Sequence, residues 1–223
     1  PTWIHALGMG DRQERGMNRF AHVGMTGRVI GGHWVWSPRM QQMARDNEIE
    51  AYVLPGGVIM QLMREVAAGR PGLITHVGLG TFVDPRLDGG RMNEAAKQDL
   101  TEIITIDGRD YLRYLPIPVT VALLRGSYAD EDGNISLEEE PANLDIYAMA
   151  AAAHNSGGKV IFQVRGKVPR NSLKAREVRI PAALVDAIVV DESQQQGYDV
   201  VYDAALSGQD RRDDPEPQQP VFS

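Results

Sequence analysis

With 223 residues, 43% of them hydrophobic, the chain is long enough to bury one sizeable core or two small ones, as a soluble globular protein does. It has no cysteine, which excludes disulfides, thiolate metal sites and a cysteine nucleophile. Its net charge of -7, with 23 basic residues interleaved among 30 acidic ones, speaks against a nucleic-acid partner.

From the amino end, short apolar runs alternate with longer runs of helical period, the pattern of βα units around a mostly parallel sheet. Residues 4–10, Ile-His-Ala-Leu-Gly-Met-Gly, read as the end of a strand entering a glycine turn, and residues 28–33 as the next strand. Ser37 and Pro38 supply an N-cap and a first-turn proline for a helix reaching Asn47. A strand over 50–54 leads through Pro55-Gly56-Gly57 into a second helix. Its Val58, Leu62, Met63 and Val66 share one face, and Gly69 and Pro71 end it. Residues 73–79 read as a buried strand, so the glycine-rich stretch that follows begins at a strand's carboxyl end, where open α/β sheets bind ligands.

Two β-rich runs over 102–115 flank Asp107-Gly108, a strong hairpin signal. A buried strand over 119–125, a turn over 130–134, an alanine-rich helix over 143–154 closed by Gly157-Gly158, and strands over 159–164 and 184–190 complete the pattern. The expected fold is α/β: a mostly parallel open sheet with helices on both faces and a small antiparallel hairpin insertion. It forms one domain over 1–206. Residues 207–223 lose periodicity and become rich in Pro, Asp and Gln, as a linker or tail does. No run of about 18 apolar residues marks a membrane span and no signal peptide opens the chain, so the expected location is the cytoplasm.

Chemistry-bearing clusters are few. His33 stands beside Trp34 and Trp36, a group that either stacks on a ligand or packs in the fold. His5, His22, His76 and His154 show no ligand spacing, and no metal site is expected. Glu138-Glu139-Glu140 could supply a base or nucleophile, but a solvated helix N-terminus is the simpler reading. The glycines say more: Gly8 and Gly10, Gly31 and Gly32, Gly56 and Gly57, Gly78 and Gly80, and Gly89 and Gly90 each neighbour an expected strand end. Together they suggest a binding rim on one edge of the sheet. No dinucleotide fingerprint, phosphate loop, serine elbow or carboxylate dyad accompanies them.

The stretch PGLITHVGLGTFVDPRLDGGRMN (71–93), with GHWVWSPRM (32–40), AYVLPGGV (51–58) and HNSGGKVIFQV (154–164), resembles the α-subunit-like first half of the family I CoA-transferases that act on acetate, propionate and 3-oxoacids. The resemblance implies two similar α/β halves, fused or separate, assembled as a heterotetramer or a homo-oligomer. It also implies a ping-pong transfer of CoA between an acyl-CoA and a small carboxylate through a glutamyl-CoA intermediate. Coenzyme A is then a substrate, and no cofactor is required. In the family the nucleophilic glutamate sits in a Glu-Asn-Gly setting in the second half. This sequence has no Glu-Asn-Gly, so the chain is expected to lack a catalytic residue, to be inactive alone and to be incomplete at its N-terminus. The implied substrate-binding residues are Gly56, Gly57, Gly78, Gly80, Thr81, Phe82, Gly89, Gly90 and Asn93. Here Gly78, Gly80, Gly89 and Gly90 let backbone N–H groups and a mobile loop approach the acyl group or the partner half, Asp84-Pro85-Arg86 sets the turn, and Phe82 and Asn93 either line the pocket or pack the loop. Relatives often read Pro-Gln-Gly at 55–57; Gly56 removes that glutamine, opening room for a bulkier acyl group. Competing readings are a non-catalytic ligand-binding domain of the same fold and a related isomerase or acyl-CoA hydrolase.

Overall fold

The computed structural model describes residues 1–211, so the part of the expected tail at 212–223 lies outside the described residues. Contacts divide the described residues into two compact units: residues 1–120 with 151–158, and residues 121–150 with 159–211.

The first unit opens with strand β1 (Thr2–His5), β2 (Arg28–Gly31), helix α1 (Pro38–Arg45), β3 (Glu50–Val53) and helix α2 (Gly56–Ala67). β1, β2 and β3 pair in that order and in parallel. Val29, Ile30, Ala51 and Tyr52 are all buried, because a parallel sheet with covered faces needs apolar residues on both sides. Val29, Ala51 and Ile49 pack with Met40, Met43 and Ala44 of α1, with Trp34 and with Met17, and Trp3 and Phe20 lie against this cluster. Ser37 does not cap α1: its hydroxyl donates to Met9 O at 2.8 Å, tethering the chain that leaves β1. α2 buries Val58, Ile59, Leu62 and Met63, while Val66 of the expected face is only half-buried.

The strand expected over 73–79 shrinks to β4 (Leu73–Thr75), which pairs antiparallel with β6 (Arg109–Tyr114), itself paired with β5 (Thr101–Ile106). Ile74, His76 and Val77 are exposed, so this is the edge of a second, antiparallel sheet and not a buried parallel strand. The β5–β6 turn is as expected: Asp107 and Gly108 take φ of 51° and 73°, the pair of left-handed residues that matches strand twist in a two-residue hairpin. Gly108→Ala is expected to cost about 1 kcal/mol, read as a lower urea midpoint.

Helix α3 (Ile146–Asn155) starts later than its composition implies, because Leu144 and Asp145 take positive φ of 44° and 57° just before it. α1, α2 and α3 all end in a left-handed residue, Asn47, Gly69 and Gly157. The following N–H groups of Glu48, Arg70 and Gly158 donate back to Met43 O, Glu65 O and Ala153 O, the Schellman closure.

The second unit holds β7 (Val121–Arg125), β8 (Tyr128–Asp130), β9 (Ile135–Ser136), β10 (Lys159–Val164), β11 (Gly166–Val168), β12 (Val178–Ile180) and β13 (Ala187–Val190). β7, β10 and β13 form a parallel sheet with β10 central. The mixed sheet β11-β8-β9-β12 was not legible in the sequence, since its strands are only two or three residues long. The α/β class and its mostly parallel pairing stand, with the strands of the described residues shared among four small sheets. Residues at the start of the expected tail are tied down: Gln209 Nε2 donates to Glu138 O at 2.8 Å.

Candidate functional site

The three parallel strands of the first unit end level, with His5 beside Gly31 and Gly31 beside Val53. The segments leaving this carboxyl edge touch backbone to backbone. A Cβ on Gly32 would lie 2.2 Å from Ala6 O and 2.9 Å from Gly56 Cα, and a Cβ on Gly56 would lie 2.8 Å from Ala6 O. Glycine is required by this close approach and not by an unusual φ. The absence of a side chain at 56 therefore leaves no vacant slot at the Cβ position; it lets the exits of β1, β2 and β3 close on one another. Gly57 beside it is exposed, with nothing within 4 Å of a Cβ, and no side chain caps the first turn of α2.

The stretch 78–93 is built around Asp84, which is 1% exposed. Its carboxylate accepts from the Gly80 N–H at 2.8 Å and from the Arg86 N–H at 3.0 Å. Two further bonds come from the Arg86 side chain, Nε at 2.9 Å and Nη2 at 2.6 Å. The guanidinium bonds, together with those N–H groups, hold this carboxyl well below the usual carboxylate range against the opposing effect of burial. Thr101 Oγ1 donates to Val83 O, and Tyr114 Oη to Val77 O, so the antiparallel sheet anchors the loop. At its far end Val53 N–H donates to Gly90 O and Met92 N–H to Ala51 O, which adds the returning chain to the edge of β3.

Gly78, Gly80, Gly89 and Gly90 all have positive φ, as a loop this tight demands. Their expected role as free donors is corrected for three of them. The N–H groups of Gly80, Gly89 and Gly90 end on Asp84 Oδ2, Asp84 O and Phe82 O, so they close the loop on itself. Thr81 is exposed and its hydroxyl donates to Gly78 O at 2.8 Å. Phe82 is 47% exposed between these bonds.

Asn93 is likewise reassigned. Its Nδ2 donates to Ala44 O and Ile49 O, both at 2.8 Å, and its Oδ1 accepts from the Ala51 and Ala96 N–H groups. The amide is consumed in fastening α1 to β3. It also borders a cleft of about 360 Å³ with Trp34, Gln41, Ala44, Arg45, Asn47, Met92 and Glu94, and none of the rim glycines borders that cleft. Asn93→Ala is expected to lower stability by about 2–3 kcal/mol while leaving substrate KM unchanged, checked by urea unfolding beside steady-state kinetics.

Of the other clusters, Trp34 is core, 7% exposed, and meets His5 edge to face at 6.3 Å between centroids. Trp36 carries the Arg12 guanidinium over its ring at 4.4 Å, and His33 is exposed. His5 donates from Nδ1 to Leu7 O, and burial lowers its pKa at the end of β1. The three glutamates are not a solvated helix start. Glu140 pairs with Arg125 at 2.7 Å and Glu139 with Arg165 at 3.0 Å, and the helix begins only at Ile146. Among the described residues no three His, Asp or Glu side chains converge as metal ligands, and no helix is long and apolar enough to cross a membrane.

The first unit thus presents a parallel α/β sheet whose strand exits meet on glycine, flanked by a glycine-rich clamp loop. The coenzyme A transferase family profile matches residues 7–191, and the chain belongs to that family. It is 45% identical over 214 residues to caffeate CoA-transferase of Acetobacterium woodii, covering 95% of this chain and 41% of that protein. It is 42% identical over 195 residues to acetate CoA-transferase YdiF of Escherichia coli K12, covering 87% of this chain and 37% of that one. The crystal structure of the acyl-CoA transferase YdiF of Escherichia coli O157:H7, a thioester complex with CoA, superposes with a TM-score of 0.92 at 40% identity, over 95% of this chain and 44% of that one. The chain thus spans about two fifths of the length of these relatives.

Proposed function

We propose that this chain is the α-subunit-like half of an enzyme that moves CoA between an acyl-CoA and a free carboxylate. The observation that carries the reading is the superposition, over nearly the whole chain, on a relative captured with CoA in thioester linkage. In the proposed cycle a glutamate carboxylate of the second half attacks the thioester carbonyl, the C–S bond breaks and CoA leaves as thiolate. The thiolate then attacks the glutamyl carbonyl of the mixed anhydride and releases the first carboxylate. The acceptor carboxylate reverses the two steps, so one hard exchange becomes several transfers between activated acyls. Coenzyme A serves as substrate and no resident cofactor is invoked. This half contributes the glycine-floored rim at the carboxyl edge of β1-β2-β3 and the loop held by Asp84. The partner is a β-subunit-like second half, fused or separate, within a larger oligomer, and the cytoplasm is the proposed location.

The test is intact mass spectrometry of the natural full-length protein incubated with acetyl-CoA or caffeoyl-CoA. A covalent CoA adduct that maps to a glutamate outside residues 1–223 is the expected result. An adduct on Glu138, Glu139 or Glu140 would overturn the assignment of the nucleophile, and no adduct with any acyl-CoA would overturn the activity.

A further inference from the structure

We propose that the open face of the sheet β7-β10-β13 is a docking surface for an amphipathic helix supplied by polypeptide outside residues 1–223. The inference rests on the reading of this chain as one half of a larger enzyme, and adds to it the surface on which another part of that enzyme sits.

Paired residues of a parallel sheet point to the same side, so the register sorts the two faces. One face carries Ala122 of β7 with Val160, Phe162 and Val164 of β10, all buried. The other carries Val121 and Leu123 of β7, Ile161 of β10, and Ala187 and Val189 of β13, with Leu123, Ile161 and Ala187 abreast. Val121, Leu123 and Val189 are 49%, 51% and 52% exposed, Ala187 is exposed, and Ile161 on the central strand is only half-buried. Apolar residues on both faces are the pattern of a parallel sheet that is covered on both sides. Single exposed apolar residues are ordinary, but neighbouring ones from three paired strands form a contiguous patch of the kind that marks an interface.

A helix is the fitting occupant, because helices cover parallel sheets, whereas sheet-on-sheet packing belongs to antiparallel sandwiches. None of the described helices is spare: α1 buries Met40 and Met43, α2 buries Leu62 and Met63, and α3 buries Ala150 and Ala152. The chain that follows β13 covers only the polar end of the face. There Gln163 Nε2 donates to Gln194 Oε1, and Arg125 donates to Gln195 O and Gln196 O, while Leu123 and Val189 stay open. The sequence over 212–223, with Pro215, Pro217 and Pro220, holds no helical period of apolar residues. The relatives have the chain to supply one, since this chain spans only 41% of caffeate CoA-transferase and 37% of YdiF.

The experiment uses the full-length natural protein. Residues 1–223 contain no cysteine, so Leu123→Cys and Val189→Cys each place a single thiol on the patch, on two different strands in case one variant fails to fold. In a variant shown to be folded by circular dichroism, the thiol is expected to react with iodoacetamide about tenfold more slowly than in urea. The rate is read from the mass of the peptide that carries it, so thiols elsewhere do not interfere. Val189→benzoylphenylalanine, irradiated and digested, then identifies the occupant, and the expected link runs to a peptide outside residues 1–223. Thiols that react in the folded protein as fast as in urea would show an open face and overturn the proposal. Links that fall only within residues 1–223 would assign the face to this half or to a second copy of it, and they, or no link at all, would overturn it as well. CoA transfer is assayed beside these measurements. Protein that transfers no CoA yet shows protected thiols and the outside link would remove the activity and leave the docking surface standing.

Discussion

Gly32→Ala is expected to cost about 3 kcal/mol and to remove most activity, although it adds one methyl group. The methyl would start 2.2 Å from Ala6 O and 2.9 Å from Gly56 Cα, and backbone on both sides leaves no flexible side chain to swing away. To accommodate it, the exit of β1 must separate from the start of α2, which displaces the floor of the proposed rim. Gly57→Ala provides the control. It lies one position further along, with open space around its Cβ, in the first turn of α2, where alanine is the better helix former. That variant is expected to be as stable as wild type or slightly more so. Urea unfolding of the two variants decides the matter. Equal midpoints would mean that the contact between the strand exits does not hold this edge together.

Much of the first unit was legible because it obeys local rules. Pro38, Gly69, Gly157 and the Asp107-Gly108 pair act within a few residues of themselves, and the structure places helix ends and a hairpin where they stand. Strands β1, β2, β3 and β10 were legible as short apolar runs. Residues 73–79 misled for the same reason: an apolar run carries no label for edge or centre, and here only Leu73 of the run is buried. The mixed sheet of the second unit is not legible because strands of two or three residues leave no period to read.

The site divides in the same way. That the glycines gather at strand exits was legible from spacing, and Gly32 and Gly56 do meet there. What each glycine does was not legible, because it depends on partners distant in sequence. Asn93 bonds to residues 42 to 49 positions away, and nothing in Arg-Met-Asn announces that. Asp84 is intermediate: Asp-Pro-Arg is a recognisable turn, but that its carboxylate is buried while the Arg86 side chain stays 55% exposed is not written in those three residues, and the loop beside it is fastened by Thr101, whose Oγ1 donates to Val83 O.

That burial makes Asp84 the source of the clearest expected pH effect. Its carboxyl is held below the usual range in the folded chain, whereas the unfolded chain titrates near pH 4. The clamp therefore contributes its full stability above about pH 5. As pH falls below about 4 the unfolded chain takes up a proton that the folded chain resists, and the contribution is lost progressively. Asp84→Asn keeps the size of the side chain but cannot accept four bonds from Gly80 and Arg86 as a carboxylate does. At neutral pH the variant is expected to be less stable by about 2 kcal/mol, the lower part of the range for a broken buried pair, because Arg86 is half in solvent and regains water. Asp130, also lowered below its ordinary value, here by bonds from Asn134, Asp132 and Gly133, remains in both proteins, so the difference between the two curves isolates Asp84. Urea midpoints measured from pH 7 down to pH 3 are expected to converge. Curves that stay parallel through that range would show that Asp84 is not ionised in the folded loop, and the clamp would have to be redrawn as a neutral hydrogen-bonded turn.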